Sequence, residues 1–307
     1  MSTVTADANR ADLTRLDVSL VAPVFNNVPL WVADRLGRFA DAGLDVRIDV
    51  LFGVENVSRS LLDGSTQIAI GTPESVLSLT SPSELIIVGG NASKLSNALI
   101  ARRGIGSIGE LRGGVIGVSH TSEGTGLLVR EMMSANGLHH LEDYELRSIG
   151  VASRRWEAIL DGTIDAGLQT SPHRYLAEQL GFPSLGQIAD YVPDYQFTTI
   201  NVRRDWAETH ADALRRFTRC VSWATAWMSE HREATIAIAS DRVSSTEEHA
   251  ALDYDHFRAT GSLQPDLQLS AAGMANVVRL MDRAGTLRAG TPEEQARRID
   301  LSYLPQV

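Results

Sequence analysis

Leu16 to Val50, LDVSLVAPVFNNVPLWVADRLGRFADAGLDVRIDV, is the stretch that decides the fold. The β-branched, apolar run from Leu16 to Val21 reads as a strand, the segment from about Pro29 to Ala42 as a helix, and Asp45 to Leu51 as a second strand. Pro29 suits a helix start and Gly43 a helix end. Between them Leu30, Ala33, Leu36, Gly37 and Ala40 recur at three- and four-residue intervals, the spacing of a helix packed on a sheet. Strand, helix and strand at this length predict parallel strands joined by a right-handed crossover. The loop Ala22-Pro23-Val24-Phe25-Asn26-Asn27-Val28-Pro29 falls where the first strand stops, which is the ligand-facing end of an open α/β sheet.

The whole chain suits a globular protein with two lobes and separate cores: 307 residues, 43% hydrophobic and 21% charged. A net charge of −10 argues against a nucleic-acid partner, because phosphate binding needs a basic face. The single cysteine allows no disulfide within the chain, and His139-His140 has no neighbours at ligand spacing, so no metal and no cofactor are expected. No apolar run reaches transmembrane length, so no membrane insertion is expected. Residues 1–15, MSTVTADANRADLTR, form a polar N-terminal extension without the apolar segment of a signal peptide. The expectation is a cytoplasmic protein, or a periplasmic or extracellular one if a leader has been removed.

The run VPLWVADRLGRFADAGLDVRI, Val28 to Ile48, resembles the opening of type II periplasmic binding proteins of the alkanesulfonate, taurine, nitrate and thiamine-precursor group. GSTQIAIGTPESVL, Gly64 to Leu77, is similar to that family's second ligand loop. IGELRGGVIGVSHTSEGTGLLVREMMSANGL, Ile108 to Leu138, resembles the opening of its second lobe, and MDRAGTLRAGTPEEQARRIDLSYL, Met281 to Leu304, its C-terminal ending. The resemblance implies a two-lobed α/β fold with two hinge crossings and an interlobe ligand cleft. Lobe I would hold residues 16–92 and 200–307, lobe II residues 97–196. The helices from Asp205 to Ile238 and from Ser270 to Ala284 would rejoin lobe I.

The strand-end loops then supply the candidate ligand contacts. Phe25 can stack on an aromatic ligand while Asn26 and Asn27 offer donors and acceptors; the bland reading is a turn whose asparagines bond their own backbone. Thr72 and Glu74 open a helix after the second loop, where each could serve the ligand or merely cap the helix. Ser119, His120, Thr121 and Ser122 precede glycines at a helix start, where exposed N–H groups favour a carboxylate, sulfonate or phosphate. Gln169, Thr170 and His173 follow another strand, and Tyr195 and Gln196 lie at the return crossing, where they could instead pack the hinge. Asn26 and Thr121 are expected outside any core. Lys94, the only lysine of the chain, lies beside the first crossing and could shift its pKa or form a Schiff base.

Two functions follow. One is a receptor that closes on a small organic ligand, anionic or aromatic, with an ABC permease as partner if the protein is exported. The other is a cytoplasmic enzyme of decarboxylase, lyase or hydrolase type acting on a small aromatic or heterocyclic acid, with Lys94, His120 or Glu74 as acid–base group. The fold also resembles that of an aromatic sulfinate desulfinase, of phthalate-type decarboxylases and of the yeast thiamine-pyrimidine synthase. The desulfinase's loop cysteine is replaced here by Val24-Phe25-Asn26, Cys220 lies in a predicted helix far along the chain, and the synthase's cysteine-rich motif is absent.

Overall fold

The computed structural model describes residues 13–80, 84–243 and 245–306. Strands β1 (Thr14–Leu20), β2 (Leu44–Val50), β3 (Ile68–Gly71) and β4 (Leu85–Ala92) lie in one sheet. A second sheet holds β5 (Ala98–Ala101), β6 (Val115–Val118), β7 (Glu145–Ser148), β8 (Ala166–Gln169) and β9 (Ser184–Gln187), and β10 (Thr198–Arg203) returns to the first. The strand orders are β2-β1-β3-β10-β4 and β7-β6-β8-β5-β9. β1 pairs in parallel with β2 and β3, as the opening unit predicts. β10 runs antiparallel between β3 and β4, and β5 does the same between β8 and β9. In each sheet the antiparallel strand is the one that arrives directly from the other lobe.

Each sheet carries its own core. Leu16, Val18, Leu20 and Ile68 pack with Phe217 and Val221 of the helix Ala211–Glu230, while Ile116, Val118 and Leu168 pack with Leu128 and Met132 of the helix Thr125–Ala135. β1 is flanked by β2 and β3, and its buried Leu16, Val18 and Leu20 alternate with Asp17 and Ser19, the buried Ser19 hydroxyl lying 3.2 Å from Thr66 Oγ1. Among the described residues no helix is long and apolar enough to cross a membrane.

Several boundaries differ from the sequence reading. Residues 1–12 of the polar extension lie outside the described residues, and Thr14 and Arg15 already belong to β1. The helix expected from Pro29 to Ala42 breaks into Val28–Arg35 and Arg38–Asp41, because Gly37 takes a left-handed φ of 71°. The stretch from Asp205 to Ile238 forms three helices, Arg204–Thr209, Ala211–Glu230 and Arg232–Val243. The helix Ala271–Arg283, expected with lobe I, places Val277, Leu280 and Met281 in the second core and pairs Arg279 and Arg283 with Glu131. Its stripe at three- and four-residue spacing finds apolar partners there.

Polar side chains hold the crossings. Asn91, on β4, donates through Nδ2 to Asn26 O at 3.1 Å and Thr198 Oγ1 at 3.1 Å, and Asn26 Nδ2 donates to the same Thr198 hydroxyl at 3.0 Å. Gln196 donates to Ala92 O and Thr198 O and accepts from Ser270 N–H, so three segments meet at one buried amide. Lys94 of the first crossing and Asp194 of the second form an ion pair at 2.7 Å, both partly exposed. Below the second ligand loop, the buried Tyr195 hydroxyl donates to Glu74 Oε1. Burial pushes the Glu74 carboxyl up to about 7, although the Tyr195 bond pulls the other way.

Two stability predictions follow from these joints. Replacing Asn91 by Ala removes donors to a buried carbonyl and a buried hydroxyl, so urea unfolding should show a loss of about 2 kcal/mol; unchanged stability would contradict the joint. Glu74 titrates near 4.5 when unfolded and near 7 when folded, so its stabilising protonated form is complete below the lower value and lost as pH rises through the upper one. Glu74→Gln should therefore gain up to about 3 kcal/mol over the native sequence at pH 8 and little at pH 4. An equal difference at both pH values would sink this account.

Candidate functional site

The carboxyl ends of β1, β2 and β3 face those of β6, β7 and β8 across a cavity of about 470 Å³, within the size range of small-molecule sites. Four helices begin at its wall: Val28–Arg35, Val54–Leu62, Thr125–Ala135 and Ala152–Leu160. Helix starts present the positive end of the peptide dipole, so all four favour negative charge in the cavity, although the first offers fewer free N–H groups because Val28 N–H bonds to Phe25 O and Pro29 has none. The walls themselves are mostly apolar, with Val21, Val24, Phe52, Ile70, Val151 and Phe197 among the lining residues.

The second-lobe loop is shaped by its neighbours. Thr125 Oγ1 accepts from Ser119 N–H at 2.7 Å and lies 2.8 Å from Ser119 Oγ, which ties the end of β6 to the start of the next helix. A Cβ on Gly126 would meet His120 O at 2.3 Å and Thr121 O at 2.7 Å, so only glycine lets the loop lie this close to the helix. His120 Nδ1 accepts from Ser122 N–H at 3.3 Å, and its Nε2 reaches 3.8 Å from Glu55 Oε1 on the opposite lobe, at the exposed rim.

Of the residues chosen from sequence, Phe25, Asn26, Asn27, Thr72, Ser119, His120 and Thr170 line the cavity. Asn26 was expected outside any core but is 3% exposed and bonded to Thr198, and Asn27 Nδ2 donates to Ala22 O at 2.9 Å. Phe25 has one face stacked on Phe257, with ring centroids 5.0 Å apart. Thr121 and Ser122 are half-buried in the loop without lining the cavity. Gln169 is buried beneath it; with its amide oriented to satisfy both atoms, it donates to Ala152 O at 3.0 Å and accepts from Trp156 N–H at 3.2 Å. Glu74 and Tyr195 are spent on each other, and Lys94 on Asp194, so the three acid–base candidates Lys94, His120 and Glu74 are not brought together.

Sequence reasoning missed four charged residues of the wall, Glu55, Glu123, Arg155 and Asp253, of which the last two are buried. Arg155 is 3% exposed; its Nε donates to Leu168 O at 2.8 Å and its Nη1 to Gly150 O, while Nη2 has no protein partner among the described residues. Burial pushes its pKa down to about 10, so it stays cationic at neutral pH. Asp253 is 2% exposed, and burial pushes its carboxyl up to about 7 against the opposing effect of Ser171, Tyr175 and Arg174. A cue existed in each helix. Arg155 interrupts an apolar face with Trp156 and Ile159, and Asp253 lies in a stripe with Ala250, Tyr254 and Phe257.

Known proteins share this architecture. The binding protein YtlA of Bacillus subtilis strain 168, itself named only provisionally, is 23% identical over 298 residues, covering 92% of this chain and 87% of its own. The ligand-binding component of an ABC-type import system from Staphylococcus aureus superposes with a TM-score of 0.79 at 14% identity, covering 94% of this chain and 97% of that one. The periplasmic aliphatic sulphonate binding protein SsuA of Escherichia coli gives a TM-score of 0.70 at 16% identity, covering 95% and 93%. The desulfurization enzyme DSZB gives 0.68 at 16% identity, covering 94% and 97%. At these identities the solved structures establish the periplasmic-binding-protein fold and nothing finer. Residues 24–235, more than half of the chain, match the family described as NMT1/THI5 like, and the chain belongs to that family.

Proposed function

We propose that this protein is a solute-binding receptor whose cleft takes up a small organic anion with a flat, apolar body. One observation carries the reading: four helix starts and the buried Arg155 converge on a single apolar-walled cavity between the lobes. Each helix start favours an anion by roughly 0.3–1 kcal/mol, and a hydrogen bond from a buried cation adds about 1.5–3 kcal/mol. Three carboxylates oppose this: Glu55 at the rim, with 77% of its side chain exposed, acts through a solvent-screened field, while the half-buried Glu123 and the buried Asp253 restrict an anion to the Arg155 side of the cavity. Phe25, Phe52 and Phe197 supply the surface against which a ring or chain would pack.

The relatives support the same reading, since they include a binding protein, an import-system component and a sulphonate-binding protein. They also favour a place outside the cytoplasmic membrane and a permease as partner over the cytoplasmic residence expected from residues 1–15. The enzyme reading has a neighbour in the desulfurization enzyme but no supporting geometry. Cys220 is buried with its Sγ 3.3 Å from Arg38 O, away from the cavity.

A thermal-shift panel of aryl carboxylates and sulfonates, followed by calorimetry, tests the proposal. Binders should raise the melting temperature, and Arg155→Gln should weaken them at least tenfold, about 1.4 kcal/mol, while a melting curve verifies that the variant is folded. Binding that ignores Arg155, or conversion of the bound compound, would refute the receptor reading.

A further inference from the structure

We propose that Asp253 and Ser171 form a second recognition point in the cleft for a cationic nitrogen, an ammonium or protonated ring nitrogen, so that the ligand is bipolar rather than simply anionic. The inference rests on the cleft-binding reading and names its ligand class more closely.

Both residues line the cavity, and both are buried, Asp253 at 2% and Ser171 at 6% exposure. Among the described residues Asp253 Oδ2 and Ser171 Oγ have no hydrogen bond of good geometry, although Ser171 and Tyr175 lie close enough to the Asp253 carboxyl to lower its pKa. A buried carboxyl oxygen without a good partner is destabilising, so its retention at a cavity wall points to a partner that arrives with the ligand. Arg174 acts on Asp253 electrostatically, yet its own guanidinium is directed at Ser96 O, 3.0 Å from Nη1, and at Glu178 Oε1, 3.5 Å from Nε.

The surroundings select the partner's chemistry. The Ser171 hydroxyl can donate to the carboxylate and still accept through its lone pairs, so the group that both oxygens would accept from is a donor with more than one N–H or a full positive charge. Phe257 stands four residues from Asp253 on the helix Glu247–Thr260, which puts the two on one face, and it stacks on Phe25 at the cavity wall. Aromatic faces beside a carboxylate suit a cation or a flat nitrogen heterocycle. The burial that holds the Asp253 carboxyl near neutrality is relieved when a positive group binds. Arg155 belongs to the second lobe and Asp253 to a helix packed on the first, so one bipolar molecule would hold both lobes at once.

The test uses matched aryl carboxylates that differ only in an amine for a methyl group: 4-(aminomethyl)benzoate against 4-ethylbenzoate, and 4-(2-aminoethyl)benzoate against 4-propylbenzoate. Calorimetry with the full chain should show the amine bound at least tenfold tighter in one or both pairs. Asp253→Asn, which keeps the side-chain shape, should abolish that preference, and Ser171→Ala should reduce it about threefold. Melting curves of both variants verify folding, and the alkyl compounds should bind all three proteins alike. Alkyl compounds binding as tightly as the amines, or a preference that survives Asp253→Asn, would overturn the second recognition point and leave the anion site standing. Failure of all four compounds would overturn both together.

Discussion

The Asn91 carboxamide is the interaction on which this cleft depends. Where β4 and β10 meet the first ligand loop, backbone and hydroxyl groups leave water, and one buried amide satisfies Asn26 O and Thr198 Oγ1 together. Without it the buried Asn26 O would lose its side-chain donor, at about 1–3 kcal/mol, while Thr198 Oγ1 would keep only Asn26 Nδ2. The loop's position, and with it the placing of Phe25 on Phe257, therefore follows from a hydrogen bond in the hinge together with the loop's own Asn27 Nδ2–Ala22 O bond. Gln196 repeats the device one step away, joining Ala92, Thr198 and Ser270.

The second lobe uses different means to the same end. Thr125 closes the end of β6, and Arg155 holds Leu168 O and Gly150 O before any of its charge reaches the cavity. That double duty fixes the guanidinium in place, so the anion proposed at Nη2 would cost little further side-chain entropy. Electrostatics in the cleft thus come from groups immobilised in advance, the feature that separates a binding site from a merely charged surface.

Much of this was legible in the sequence. Strand-end loops could be located because apolar period and glycine or proline punctuation set where each strand stops, so Phe25, Thr72, Ser119 and Thr170 were placed at the cavity. The state of those residues was not legible: Asn26 reads as an exposed turn residue until Thr198, 172 positions away, is seen to accept from it. Arg155 and Asp253 were hidden because charged residues within helices read as solvated, and only the apolar company on their helix faces betrays them. Lys94 attracted notice through composition, yet its pairing with Asp194 across the two crossings is a matter of topology. Gly37 matched the helix period and still broke the helix, since periodicity records which face a residue occupies and not its φ.

The most direct measurement is a crystal structure of the protein with the tightest small organic anion found for it. The account predicts the molecule between the lobes, its negative group within hydrogen-bond reach of Arg155 and of the helix starts at Thr125 and Ala152, and its ring or chain against Phe25 and Phe197. A ligand seated outside the cleft, or inside it with its negative group turned away from Arg155, would contradict the account.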